Sequence, residues 1–281
     1  NIFSMSKSYP YIIIAFIVAV FYGNTVFNGF VHDDIWQIVG NDNLKSIGNL
    51  PKLFSTCIAD EILGTCYNKG FYYRPLQFVS YLVTYQISKE AWVFHLVNLL
   101  YAFGVGVLVF WFFTLLYSSS ERRESRSHSL SLSKGSRLRP VERGSARTIT
   151  VTYSLFATIF FLAHPINSEV INWIGGVPEL LLGIFTIGLL IFYKKYSESK
   201  NVRYLFASAI LFFLGLFSKE TGFFTLFLVI GYEAVFVGVK KKRLDLQKYF
   251  QAFVFFLAPL ILYLMFRTAV LGRIIYQYEG Y

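Results

Sequence analysis

Seven apolar stretches constrain this chain more than any other feature: Pro10 to Phe27, Trp92 to Tyr117, Ile149 to Ala163, Ile174 to Tyr193, Tyr204 to Phe217, Phe223 to Val239 and Tyr249 to Phe266. A bilayer offers no partner to backbone N–H and C=O groups, so a segment that crosses it must satisfy them internally, in a helix or a closed barrel. Strand-like alternation is absent, which leaves helices. Several stretches fall short of the roughly 20 residues that span a hydrocarbon core and need extension into their flanks or a locally thin bilayer. Composition agrees, with 55% hydrophobic and 15% charged residues and a mean hydropathy of +0.52, richer in apolar residues than ordinary soluble chains. The expected fold is an all-α membrane protein of about seven transmembrane helices, one domain over residues 1–281. The first stretch is long for a signal-peptide core, and Tyr22-Gly23-Asn24 offers no small-residue cleavage site, so it reads as a retained anchor. The chain begins with Asn1 and stops at Tyr281 just past an apolar segment, which fits a piece truncated at its C-terminus.

The formal charge of +10 could point to nucleic acid, but the basic residues cluster between the apolar runs, where positive-inside topology accounts for them. Nucleic acid is not an expected partner; membrane lipids are. Residues 118–147 hold eight basic residues against three acidic, net +5; 194–203 hold four against one, net +3; 240–248 hold five against one, net +4. All three fall on one face if the segments between them form hairpins, and that face should be cytoplasmic. The first of them is also rich in Ser, Arg and Gly, a composition expected to be disordered. By contrast, residues 29–73 carry three basic residues against five acidic, net −2, which is permissive for translocation. The N-terminus is therefore placed inside and a large first loop, residues 29–90, outside.

That assignment turns on residues 75–88. There Gln77, Ser80, Thr84 and Ser88 recur at helical spacing among Leu76, Val79, Leu82 and Val83, which predicts a helix with a polar stripe. Its length falls short of a span, so it is expected to lie in the interface. Cys57 and Cys66 share the external loop. They read equally as a disulfide in a permissive compartment or as two small buried thiols.

Asp33 and Asp34 lie just where the first span leaves the membrane. Adjacent carboxylates at a bilayer surface are costly unless solvated or used. The plain alternative is an N-cap for a short helix over Ile35 to Val39. His32 beside them reads more readily as a polar contact than as a ligand. Divalent metal binding through the two Asp is open, although most of a coordination shell is unidentified. Arg74 and Lys219 fall near the external face and could hold an anion, or could simply snorkel at the membrane boundary. His164, Glu169, Glu179 and Glu220 lie on the same side and could bind hydroxyls or a cation; capping, or a contact between Lys219 and Glu220, explains them as cheaply.

The ordered set Phe30-Val31-His32-Asp33-Asp34 with Asn41, Tyr73-Arg74-Pro75-Leu76, His95 and Asn98, His164-Pro165 with Glu169, Gly175 to Leu180, and Ser218-Lys219-Glu220 resembles the transmembrane and tetratricopeptide-repeat O-mannosyltransferase family. That family belongs to the GT-C class of membrane glycosyltransferases. The resemblance implies a GT-C-like module with interfacial helices in its first external loop. It implies a polyprenyl-phosphate-linked sugar, most readily mannose, as donor, and transfer on the non-cytoplasmic face. It fixes no cofactor, and a divalent metal stays open. Asp33 matches the first acid of the family's pair and becomes the candidate base; Asp34 would orient the acceptor or bind a cation. Arg74 and Lys219 become candidates for the donor phosphate, because a leaving phosphate needs cations more than a general acid. These 281 residues contain none of the family's repeats, and Arg74-Pro75-Leu76 also resembles a signature of lipid-to-lipid sugar transferases. The acceptor hydroxyl is therefore open between protein Ser/Thr and a lipid or glycan. The membrane would be the plasma membrane in a prokaryote and the endoplasmic reticulum in a eukaryote. A transporter or lipid flippase is the rival reading, although few ionisable residues sit inside the apolar runs and no internal repeat is evident. A scaffold is a third, and it would need none of the acidic residues.

Overall fold

The computed structural model of the chain describes residues 8–55, 72–131, 140–235 and 246–272. Among these every regular element is helical and no strand forms. Helix α1 (Tyr9–Tyr22) runs into a 3-10 turn (Gly23–Phe27), and short helical turns follow at Ile35–Val39, Asp42–Lys45, Ile47–Asn49 and Lys52–Ser55. After these come α2 (Pro75–Ile87), α3 (Ala91–Ser131), α4 (Pro140–Ala163), the short α5 (Asn167–Asn172), α6 (Val177–Ser199), α7 (Val202–Ser218), α8 (Thr225–Glu233) and α9 (Leu246–Leu271). Cys57 and Cys66 lie outside the described residues.

Each expected apolar stretch is helical where it is described, but among the described residues only four segments are long and apolar enough to cross a membrane: Tyr9–Phe27, Ala91–Ser118, Ile174–Ser199 and Phe253–Leu271. Arg147–Ala163 and Val202–Ser218 are apolar but no longer than 17 residues, and at about 1.5 Å per residue they fall short of a hydrocarbon core about 30 Å thick. The stretch from Phe223 yields a 3-10 turn (Glu220–Phe224) and the nine-residue α8. Four of the seven expected spans thus reach crossing length among the described residues.

The spans pack as the sequence requires. Between α6 and α7 the chain reverses at Lys200, which takes a left-handed conformation with φ +60°, and Asn201 caps α7 by accepting the Arg203 N–H at 3.1 Å. That two-residue link makes the helices antiparallel neighbours. Helix α3 packs against α1, α4 and α6, and α7 against α6 and α9. Gly106 permits the first of these contacts: a Cβ there would stand 2.8 Å from the Ile14 side chain and 3.0 Å from Leu162. Small residues that let helices approach are the common device of membrane packing. Large apolar side chains such as Phe16, Phe156, Phe160 and Met265 point outward, where lipid solvates them.

Two local expectations meet a different outcome. The basic segment 118–147, expected to be disordered, continues α3 as far as Ser131 and opens α4 from Pro140; 132–139 lie outside the described residues. Once a span has nucleated a helix, further residues add without a new nucleus, and Glu and Arg are good helix formers. The second concerns α2. Its polar stripe is buried at Gln77, Ser80 and Thr84, while Val83 and Ile87 are exposed. The helix is too short to span, but its polar face serves the protein interior rather than water.

Candidate active site

The site begins where α1 ends. The 3-10 turn closes on extended Asn28, and the chain then passes through His32, whose φ of +47° is unusual for a residue with a Cβ. Such strain persists only where the surroundings hold it, and it concentrates at functional sites. It places the two acids differently. Asp34 is buried, 1% exposed, while Asp33 is partly exposed and accepts the Trp36 indole N–H at 3.2 Å. Adjacent side chains with different surroundings are suited to different roles.

Asp34 does not cap the turn Ile35–Val39, although it stands at the N-cap position. Its Oδ2 instead reaches back to accept the Val31 N–H at 3.1 Å, while its own N–H donates to Val31 O at 3.0 Å. The Gly175 amide and Trp173 indole stand beside the same carboxylate, yet Oδ1 and the indole Nε1 are both buried without a completed hydrogen bond. Burial pushes the Asp34 carboxyl up to about 6, against the opposing pull of the Val31 and Gly175 amides. Because the folded-state value lies above the ordinary 3.8, protonation favours the fold. The stability this group contributes is fully present below about pH 4 and is lost as pH rises through about 6, on the order of 3 kcal/mol in all. Asp34→Asn escapes that loss. Its thermal midpoint in detergent is expected to exceed that of the unaltered protein at neutral pH and to converge with it in acid; equal midpoints at neutral pH would show that no such penalty exists.

Facing Asp33 is the segment from α5 through the 3-10 turn Ile174–Gly176. Val31, His32 and Asp33 on one side and Ser168, Glu169, Asn172 and Trp173 on the other line an open cleft of about 620 Å³. Buried polar groups hold this segment in place. Asn98 Nδ2 donates to Trp173 O at 2.7 Å, and Thr25 Oγ1 donates to Asn172 O at 3.0 Å. His95 Nδ1 meets the same Thr25 oxygen at 3.1 Å; since the hydroxyl's one hydrogen goes to Asn172, the ring nitrogen is the donor. Gly176 is required for closeness, as a Cβ there would lie 2.0 Å from Val170 O.

The candidate cations lie in a second group, each held by an acid. Arg74 makes a forked pair with Glu220, Nε to Oε2 at 2.8 Å and a terminal nitrogen to Oε1 at 3.1 Å, with its guanidinium 4.0 Å over the Tyr72 ring. Lys219 pairs with Glu179. The neighbours Lys219 and Glu220, read from sequence as a pair with each other, therefore reach across to different helices. Side-chain exposures of 15% and 27% for the Arg74 pair, and 21% and 33% for the Lys219 pair, leave both open to an incoming anion. Beside them, burial pushes the Tyr73 phenol up to about 12, so it is a neutral donor, to Phe54 O at 2.8 Å.

The structure thus brings Asp33 and Glu169 to one cleft with Asp34 behind the first, and joins Arg74 to Glu220 and Lys219 to Glu179. His164 stands apart: exposed, outside the cleft lining, with Nδ1 accepting the Ile166 N–H at 3.3 Å. Among the described residues no group of three or more His, Cys, Asp or Glu side chains is placed to hold a metal ion. Gln37, Tyr81 and Thr25 are among the buried polar residues that a reading by motif passes over. The only signal for Tyr81 is its position four residues from Gln77, on the same helix face.

The chain is similar to curated proteins of one kind. It is 25% identical over 235 residues to Protein O-mannosyl-transferase TMTC4 of Homo sapiens, covering 80% of this chain and 28% of that protein. It is 25% identical over 193 residues to Protein O-mannosyl-transferase TMTC3 of Mus musculus, 67% of this chain and 17% of that one. It is 26% identical over 198 residues to Protein O-mannosyl-transferase F38B6.6 of Caenorhabditis elegans, 70% of this chain and 24% of that one. The chain therefore spans less than a third of the length of these relatives. No family model matches it, and no solved structure does.

Proposed function

We propose that this chain is the membrane module of a GT-C-type glycosyltransferase that moves mannose from a polyprenyl-phosphate carrier to an acceptor hydroxyl, on the non-cytoplasmic face of the endoplasmic reticulum membrane. Distant relatives named as O-mannosyltransferases support the reaction class. The observation that carries the reading is the division of charge within the site: Asp33 faces an open cleft whose described lining holds no Lys or Arg, while Arg74 and Lys219 are grouped elsewhere.

In the reaction, the acceptor hydroxyl oxygen attacks the anomeric carbon. Asp33 takes the hydroxyl proton, the anomeric carbon–oxygen bond to phosphate breaks, and the lipid phosphate leaves with the bonding electrons. Removing the proton as the bond forms is general base catalysis, and stabilising the departing anion is electrostatic catalysis. Arg74 offers a planar fork to the phosphate and Lys219 a point charge. Glu220 and Glu179 occupy these cations beforehand, so the donor phosphate competes with them. Asp34 positions Asp33 by holding Val31 in the loop that carries both acids. Glu169, across the cleft, contacts the acceptor. Protein Ser/Thr is the acceptor the relatives' names favour, with a lipid or glycan hydroxyl as the other.

The test is incubation of the protein with polyprenyl-phosphate mannose and a Ser/Thr peptide, followed by mass spectrometry of the peptide. A mannosylated peptide is the expected product. Movement of the lipid donor across the membrane with no glycosidic product would instead make the protein a flippase.

A further inference from the structure

Helix α2 carries a buried polar chain that the proposed chemistry has not yet used. Gln77 Nε2 donates to Gln37 Oε1 at 2.7 Å and to the Tyr81 hydroxyl at 3.0 Å, and that hydroxyl donates to Ile174 O at 3.3 Å. The two amide hydrogens and the one phenolic hydrogen are all spent, so the chain runs in one sense with no spare donor. Tyr81 is 1% exposed, with its ring against Phe78 and Phe94. The termini of the chain matter more than its length. Gln37 lies in the turn that directly follows Asp33 and Asp34, Ile174 precedes the Gly175 amide that faces Asp34, and Arg74 is the residue from which α2 starts. Asp34, Glu179 and Arg74 all lie within electrostatic reach of the single Tyr81 phenol.

We propose that Gln77 and Tyr81 are positioning residues: by tying the Asp33–Asp34 loop and the Ile174–Gly176 turn to the helix that begins at Arg74, they fix the distance between the base and the cation that receives the leaving phosphate. This rests on the glycosyl-transfer reading above. A helix is a stiff ruler, and two points on it one turn apart hold two loops in register with its first residue. The inward polar stripe then has a use that neither water contact nor packing supplies.

Tyr81→Phe deletes one oxygen and keeps the ring in its pocket. Misplacement of reacting groups by about 1 Å costs on the order of 10²-fold in rate. The expected result is a fall in kcat of about 10- to 100-fold with the donor KM within about twofold of the unaltered protein. Gln77→Leu should fall in the same way, and the double variant should be no slower than the slower single one, because both act through one linkage. Ser80→Ala is the control. Its hydroxyl bonds Tyr101 on α3 at 2.9 Å rather than a residue of either loop, and kcat should hold. The proposal is overturned if Tyr81→Phe and Gln77→Leu keep full kcat, if they raise KM alone, if their effects simply multiply, or if Ser80→Ala costs as much. Should Tyr81→Phe not fold, Gln77→Leu against Ser80→Ala decides it. Absence of transfer by the unaltered protein would remove the reaction itself and this role with it, whereas full transfer by both variants removes only the positioning role.

Discussion

Asp33→Asn is expected to lower the proposed transfer rate by about 10²- to 10⁴-fold, the range a positioned general base contributes, with little change in donor KM or thermal midpoint. The geometry separates chemistry from structure at this residue. Asp33 accepts a hydrogen bond from the Trp36 indole at 3.2 Å, and the Asn carbonyl oxygen can accept the same bond, so the loop keeps its shape. What Asn cannot do is take up the acceptor's proton. Steady-state kinetics with saturating donor, alongside a thermal melt, reads both quantities. A variant with normal rate would remove Asp33 as the base, and one that loses rate and fold together would make it a structural residue. Asp34→Asn gives the contrast: its effect is on the pH dependence of stability, because that carboxyl lies behind the cleft and titrates at about 6.

Arg74→Ala is expected to raise the donor KM by about 100-fold, equivalent to the roughly 2–3 kcal/mol of a charge-assisted fork. It also removes the partner of Glu220, whose side chain is 27% exposed. Water screens part of that loss, so the stability cost is about 1 kcal/mol or less. The double variant Arg74→Ala with Glu220→Ala separates the two effects. Stability should recover, because no uncompensated carboxylate is left, while donor affinity stays low, because the phosphate still lacks its cation. Recovery of donor affinity in the double variant would mean that Arg74 serves only to neutralise Glu220. Arg74→Lys should fall between, since a point charge keeps the attraction but loses the fork.

How much of this was legible in the residues depends on the kind of information each feature needs. Pro10 to Phe27 and Trp92 to Tyr117 are readable as spans because hydropathy and length are local properties, and both reach crossing length. Length also limits the reading: Val202–Ser218 is apolar enough, yet too short. The stripe of Gln77, Ser80 and Thr84 is readable as one helix face from its spacing, but spacing carries no sign. Whether such a face meets water or the protein depends on Gln37 and Tyr101, the latter 21 residues from Ser80. The same holds for charge. Lys219 and Glu220 are neighbours in sequence, but their partners Glu179 and Arg74 lie 40 and 146 residues away. Asp33 and Asp34 are visible as a pair, while the burial of one and the exposure of the other follow from the left-handed turn at His32, which a residue with a Cβ does not announce.

A sided transfer measurement tests the proposed reaction most directly. The protein is reconstituted into sealed vesicles with polyprenyl-phosphate mannose, and its orientation is fixed by impermeant labelling of a Lys45→Cys variant in the turn beyond Asp33. A Ser/Thr peptide is then supplied to one side or the other. Mannose should reach the peptide only on the face where residue 45 is labelled, and the Asp33→Asn protein should fail on that same face. Transfer on the opposite face, equal transfer by the Asp33→Asn protein, or no transfer on either face would contradict it.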